Sequence, residues 1–362
     1  MKLAQQLGSW RFAIVLTLGL GPGIQALVHG EASLLGAWLP FLMIHAVIPA
    51  IDHFLPSDTH GPQPAGWRES LLPALCLPVW WASVVLGFMA LPDPESWRAS
   101  PAMSLFVTLG LVLSLGAAGG ILAINPAHEL IHRTSPWLRR TGGWLLASVG
   151  YGAFKIEHIR GHHLRVATPE DTATARLGMS VYTFIPRSII GTLRHAYALD
   201  ARESRRWGVA SALVWGSWTF AWCWLEPWSG AMLWQALAGL GLAAVVSLVA
   251  IVELELINYI EHYGLERERQ PSGRYETVAE HHSWNVNTPL VNAYLFNLQR
   301  HSDHHAHAAR PYSALRSMAQ APQLPANYGL MIALALVPPW WRRIMDPRVQ
   351  RVRRGPPSLA HE

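Results

Sequence analysis

The chain has 362 residues, of which 51% are hydrophobic and 14% charged, with a formal net charge of +5. Soluble domains carry roughly 25% charged residues and disordered segments far less apolar content, so composition argues against a soluble enzyme and excludes an unfolded chain. Two further outliers are 18 Trp, a residue that gathers where a membrane meets water, and 18 His set against 23 Asp and Glu.

A bilayer core of about 30 Å needs roughly 20 apolar residues at about 1.5 Å each. Apolar runs therefore predict six transmembrane helices, at residues 12–28, 34–51, 71–91, 103–124, 209–225 and 232–257. The first has no small-residue cleavage site and is followed by further spans, so it reads as a retained helix. A seventh stretch, 328–341, is short and ends in Pro338-Pro339-Trp340-Trp341, which suits a helix lying against the membrane or the protein. Six spans put both termini on one side. The Arg-rich segment 133–206 and the tail with Arg342, Arg343, Arg348, Arg351, Arg353 and Arg354 make that side cytoplasmic. The net positive charge follows from this bias and needs no nucleic-acid partner. The expected fold is all-α: one integral-membrane domain over residues 1–362, six transmembrane helices, and a cytoplasmic histidine-rich cap formed by segments 125–207 and 258–350. Cys76 and Cys223 are far apart and form no CxxC pair, so neither a disulfide framework nor a thiolate metal site is indicated.

Fourteen of the histidines follow residue 126. His128-Glu129-Leu130-Ile131-His132 continues the fourth span, and residues i and i+4 share a helix face, so both imidazoles can reach one metal. Alone, HExxH also matches zinc metalloproteases. Glu157-His158-Ile159-Arg160-Gly161-His162-His163 repeats the i, i+4 pair, and His301-Ser302-Asp303-His304-His305 combines i+3 with i+4. His262 stands between them at the exit of the last span. Imidazole suits Zn, Cu, Fe and Ni. Nine clustered histidines exceed the three or four ligands of one zinc, whereas two octahedral ions accept nine nitrogens and keep positions open. That arithmetic favours two redox-active irons.

HELIH, EHIRGHH and HSDHH resemble the three histidine boxes of the integral-membrane non-haem diiron hydroxylases and desaturases. Asn258-Tyr259-Ile260-Glu261-His262-Tyr263-Gly264-Leu265 is similar to the HYG signature of the alkane 1-monooxygenase (AlkB-type) branch, as are Ala167–Asp171, Gly273–Glu276, His282–Asn285, Leu298–Arg300 and Pro338–Pro347. The likeness runs from about Asn125 to Arg348. It implies nine metal ligands: His128, His132, His158, His162, His163, His262, His301, His304 and His305. It also implies two non-haem Fe ions, O2 as co-substrate, and terminal hydroxylation of alkanes or alkyl chains to primary alcohols. Electrons would come from a rubredoxin or ferredoxin with an NAD(P)H-dependent reductase, since the chain has no cysteine motif of its own. The location would be the bacterial inner membrane.

A ligating imidazole usually passes its other N–H to a carboxylate or carbonyl. Glu129, Glu157, Glu261 and Asp303 are the candidates, with helix capping or pairing to Arg133, Arg160 or Arg300 as the alternative. Ile44, Gly119 and Gly120 are candidates for lining a substrate channel, with plain helix packing as the alternative. His281, His282 and His307 stand outside the implied ligand set. His29, His45, His53, His60, His195 and His361 are scattered and receive no role. Competing functions are a methylarene hydroxylase of the xylene-monooxygenase type, a fatty-acyl desaturase and, from another class, a histidine-rich metal transporter. Transport sites usually lie at the bilayer midplane, whereas these boxes gather at one face.

Overall fold

The structure, a computed structural model, describes residues 8–29, 34–63 and 66–354. Among these the chain is helical, and extended pairing is limited to isolated bridges between Arg269 and Tyr275 and between Asn285 and Gln323. Four helices are long and apolar enough to cross a membrane: Leu35–His53, Glu69–Met89, Pro101–Ile131 and Met232–His262. The other two expected spans are helical but fall short of that measure. Residues 12–28 lie largely in Ile14–His29, which has 16 residues. Residues 209–225 are the apolar end of Ala201–Leu225, where Arg202, Glu203, Arg205, Arg206 and several tryptophans lower the hydropathy.

Two spans run past their expected ends. The helix expected to stop at residue 124 continues to Ile131, and the one expected to stop at 257 continues to His262. Hydropathy falls there, but burial does not: every residue from Asn125 to Ile131 is buried. The first histidine box and His262 are thus carried on the spans themselves. These two helices approach closely, because a Cβ on Gly116 would stand 2.2 Å from Val249 Cγ1 and one on Gly119 would stand 3.0 Å from Ala250 Cβ. Small residues at such a seam let two helix backbones meet.

The stretch 328–341 divides into Tyr328–Ala335 and Pro338–Arg353, broken where Pro338 opens the second helix. Trp341 is fully buried against Tyr259 and Tyr263, with ring centroids 5.0 and 5.2 Å away. Two polar ties fix the remaining segments to the spans. Asp52, near the end of Leu35–His53, accepts from the backbone N–H groups of Leu290 and Val291 at 2.8 and 3.0 Å, capping the Pro289–Tyr294 helix from outside. Arg300, also buried, donates to Asp58 at 3.1 Å, to the Leu315 carbonyl at 2.7 Å and to Asn287 at 3.0 Å. Asp58 in turn accepts from Arg11 at 2.7 Å. This network clamps the chain one residue before the third histidine box.

Candidate metal centre

All nine histidines of the expected ligand set come together. Nε2 atoms of neighbouring rings face one another at 3.0–3.3 Å, in the pairs His132/His158, His158/His163, His163/His304, His162/His305, His301/His305 and His262/His301. Such convergence is a donor set for cations. It divides into two groups. His128, His132, His158, His163 and His304 form one; His162, His262 and His305 form the other, and His262 also groups with His301 and Glu261, all ligand atoms in a group lying within 4.8 Å.

The division follows i, i+4 spacing in the first and third boxes but not in the second. His158 to His162 is a π-helical turn, which brings His158 and His163, five apart, to 3.0 Å and sends His162 to the other group. The third box divides as well, with His304 in the first group and His301 and His305 in the second. That box follows a strained turn, Phe296 and Asn297 at φ 52° and 57°. It is held there because Asn297 donates to the Tyr312 carbonyl at 2.9 Å and accepts from Arg11 at 3.0 Å. Further π turns, Met43–Val47 and Gly120–Ile124, lie in the spans beside the site. Single π turns inside helices are frequent at functional sites, and hydropathy gives no sign of them.

The four carboxylates named from the sequence behave differently. Glu129 pairs with Arg133 and accepts from the Tyr312 backbone at 3.2 Å. Glu157 meets Arg165 at 3.3 Å and His195 at 3.6 Å. Asp303 is taken by Arg310 and by the Arg316 backbone at 2.8 Å. These three therefore spend their oxygens on arginines, backbone or an outlying histidine. Glu261 alone reaches a clustered imidazole, and at the donor face: its Oε2 lies 3.2 Å from His301 Nε2, while Oε1 accepts from the Tyr328 hydroxyl at 2.7 Å. The carboxylate that does orient a ring was missed. Asp171 is completely buried, lies 3.0 Å from His162 Nδ1, and accepts from Thr174 Oγ1 at 2.6 Å and the Ala173 N–H at 3.1 Å. Its signal was the run Thr168-Pro169-Glu170-Asp171-Thr172-Ala173-Thr174, a turn-forming cluster just after the second box.

Charge follows geometry. Burial, and then the neighbouring rings, push His158, His163, His304 and His305 well below the ordinary imidazole pKa, and His132 to about 4. These rings are neutral at physiological pH, the state a metal requires. His162 is the exception. Burial would lower it too, but the Asp171 carboxylate outweighs that and raises it.

A cavity of about 60 Å³ with mainly apolar walls reaches His128, His158 and His301, and Ile44 and Gly120 line it. Gly119 is not among its lining residues and packs against Ala250 and Trp80. His282 accepts from the Ala279 N–H at 2.9 Å and stands 3.0 Å from Glu276, forming with His281 a further small group. His45 lies 3.0 Å from Glu253 and His60 lies 2.5 Å from Asp58. His361 falls outside the described residues.

Residues 101–335 match the family model for fatty acid desaturases. The chain is 38% identical to alkane 1-monooxygenase 2 of Alcanivorax borkumensis over 88% of its own length and 84% of that protein's. It is 46% identical to alkane 1-monooxygenase 1 of Pseudomonas aeruginosa over 68% and 65%. The xylene/toluene monooxygenase hydroxylase component XylM of Pseudomonas putida is more distant, at 28% over 87% and 81%. With its histidines gathered as described, the chain belongs to the fatty acid desaturase family and, within it, to the alkane 1-monooxygenases.

Proposed function

We propose that this protein is an integral-membrane hydroxylase that converts the terminal methyl of an alkane or alkyl chain to a primary alcohol with O2. The observation that carries the reading is a mainly apolar cavity whose wall includes members of both histidine groups. His128, His132, His158, His163 and His304 would hold one iron, and His162, His262, His301 and His305, with Glu261 beside them, the second. Bound iron supplies the O2 activation that no side chain here can perform.

The protein's own residues do the rest. A terminal methyl has the strongest C–H bonds of its chain, so selectivity has to come from position, and an apolar cavity that ends at the histidines presents one end of a chain to them. Ile44, Ile121, Ile124, Leu254 and Ile257 exclude water along that path. Asp171 fixes the orientation of His162, and Tyr328 fixes Glu261. Cys76 and Cys223 cannot build an iron–sulfur site together, so electrons come from a separate carrier, a rubredoxin or ferredoxin with its NAD(P)H-dependent reductase.

The chain forms one membrane unit with six spans and a cytoplasmic metal-binding cap in a bacterial inner membrane. Support for counting Ala201–Leu225 as a span is its apolar outer face: Val209, Leu213, Phe220 and Trp224 are all more than 60% exposed, a surface that lipid would cover. The direct test is expression with a rubredoxin and reductase, a ladder of n-alkanes and toluene as substrates, and product identification by mass. Primary alcohols carrying one atom of labelled O2 are expected. Alkenes would favour a desaturase, benzyl alcohol as the main product a methylarene hydroxylase, and no O2 consumption in the reduced, iron-loaded state a metal carrier.

A further inference from the structure

The cavity wall carries one polar feature away from the histidines. His45 Nε2 and Glu253 Oε1 are 3.0 Å apart and both residues line the cavity. Of the other polar lining residues, Asn125 and Asn258 lie within about one turn of a clustered histidine, Glu261 and Tyr328 bond each other, and Tyr294 directs its hydroxyl to the Ile44 carbonyl. Glu253 precedes Glu261 by eight residues on one unbroken helix, which places the pair about 12 Å from the donor atoms.

Three features show that this place is built. Ionisable residues inside a membrane span are costly and mark function when they persist. Two of the π turns lie at the pair: Met43–Val47 carries His45, and Gly120–Ile124 begins at the glycine that faces Glu253. Gly120 leaves room for the carboxylate: a Cβ there would stand 2.7 Å from Glu253 Oε2, an oxygen with no hydrogen bond among the described residues.

Resting on the hydroxylase reading, we propose that His45 and Glu253 form a head-group site for a hydroxyl at the far end of a medium-length chain whose methyl lies at the histidines. The enzyme then takes alkan-1-ols of matched length as substrates and releases α,ω-diols. The reaction balances as for an alkane: one methyl C–H becomes C–OH with one atom of O2. The other atom leaves as water with two protons and two electrons from the reduced external carrier. Glu253 Oε2 accepts a hydrogen bond from the hydroxyl and holds the carbinol end away from the oxidising end.

The experiment compares octan-1-ol with n-nonane, which has the same number of heavy atoms and a methyl in place of the hydroxyl. In the iron-loaded protein with its donor, octan-1-ol is expected to give octane-1,8-diol. Glu253→Leu and the double variant His45→Phe/Glu253→Leu are expected to lower the ratio of kcat/KM for octan-1-ol over n-nonane about ten-fold, with partial retention in Glu253→Gln, which keeps an acceptor. Titration calorimetry of the resting protein in nanodiscs reads the same preference without turnover, and the preference is expected to vanish in the double variant. An unchanged ratio in folded variants, or octanal as the product, overturns the head-group site while n-nonane oxidation stands. Failure to oxidise n-nonane at all strikes the hydroxylase reading, and calorimetry still decides whether the pair recognises a hydroxyl.

Discussion

The two histidine groups are equal in chemistry and unequal in support. The group of His128, His132, His158, His163 and His304 has no carboxylate among its members, and burial, then the neighbouring rings, hold His132, His158, His163 and His304 below the ordinary imidazole pKa. The group of His162, His262, His301 and His305 has Asp171 behind one ring and Glu261 at its donor face. One set is oriented mainly by packing, the other partly by charge. Near-identical imidazoles can therefore be held ready in two ways, and the two should fail differently.

The largest effect tests whether both groups are needed. His304→Ala removes a donor from the first group and His162→Ala one from the second, and each is expected to abolish hydroxylation. Loss of a donor should exceed the roughly 10–100-fold cost of losing a residue that merely supports one. Iron analysis of the purified variants sharpens the comparison, with His304→Ala depleting one ion and His162→Ala the other. Full activity in both would remove the ligand assignment.

The next effect tests the asymmetry itself. Asp171→Asn keeps the shape but removes the charge that raises His162, so iron affinity or activity should fall about 10–100-fold. Among the described residues no carboxylate pairs with a ring of the first group, and Glu129 faces Arg133. Glu129→Gln therefore serves as the control. If both variants lose iron equally, the two groups do not differ in the way described.

The sequence pointed to the histidines that cluster and concealed their partition. Imidazole spacing on an assumed α-helix placed His158 with His162, and it took one extra residue per turn at His158–His162 to separate them. Hydropathy found the spans Leu35–His53, Glu69–Met89, Pro101–Ile131 and Met232–His262 but ended two early, because polar residues buried at a helix junction look like the start of a loop. Residues 209–225 are helical but fall short of the hydropathy of those four, because tryptophan counts as apolar in composition yet carries an N–H suited to the interface. Asp171 was hidden for a related reason. A turn after a box looks like surface chain until the fold folds it back onto His162.

A smaller effect acts on both groups at once. Burial would raise the pKa of Asp58, but Arg11 and the bonds from His60 outweigh it and hold it at about 2. A carboxylate lowered in the folded state stabilises the fold fully above its unfolded value of 3.8, and that contribution disappears as pH falls towards 2. Through Arg300, Asp58 secures the box that supplies both groups. Asp58→Asn should cost about 1–2 kcal/mol at neutral pH, and the gap to the parent protein should close between pH 4 and 2 in thermal unfolding. Any iron lost by this variant should leave both groups in equal measure, unlike that lost by Asp171→Asn.

The smallest effect is expected at Glu157, and it separates a carboxylate's position in sequence from its position in space. Glu157 adjoins His158, is nearly fully buried, and by sequence alone is as good a partner for a ring as Asp171. Its Oε1 instead meets Arg165 and His195, and neither of its oxygens bonds a clustered ring among the described residues. Glu157→Gln should thus leave iron content unchanged and alter turnover by less than about five-fold, since partly exposed ion pairs contribute about 0–1 kcal/mol. A loss as large as that of Asp171→Asn would show Glu157 steering His158 despite its partners, and the first group would no longer be the one oriented by packing.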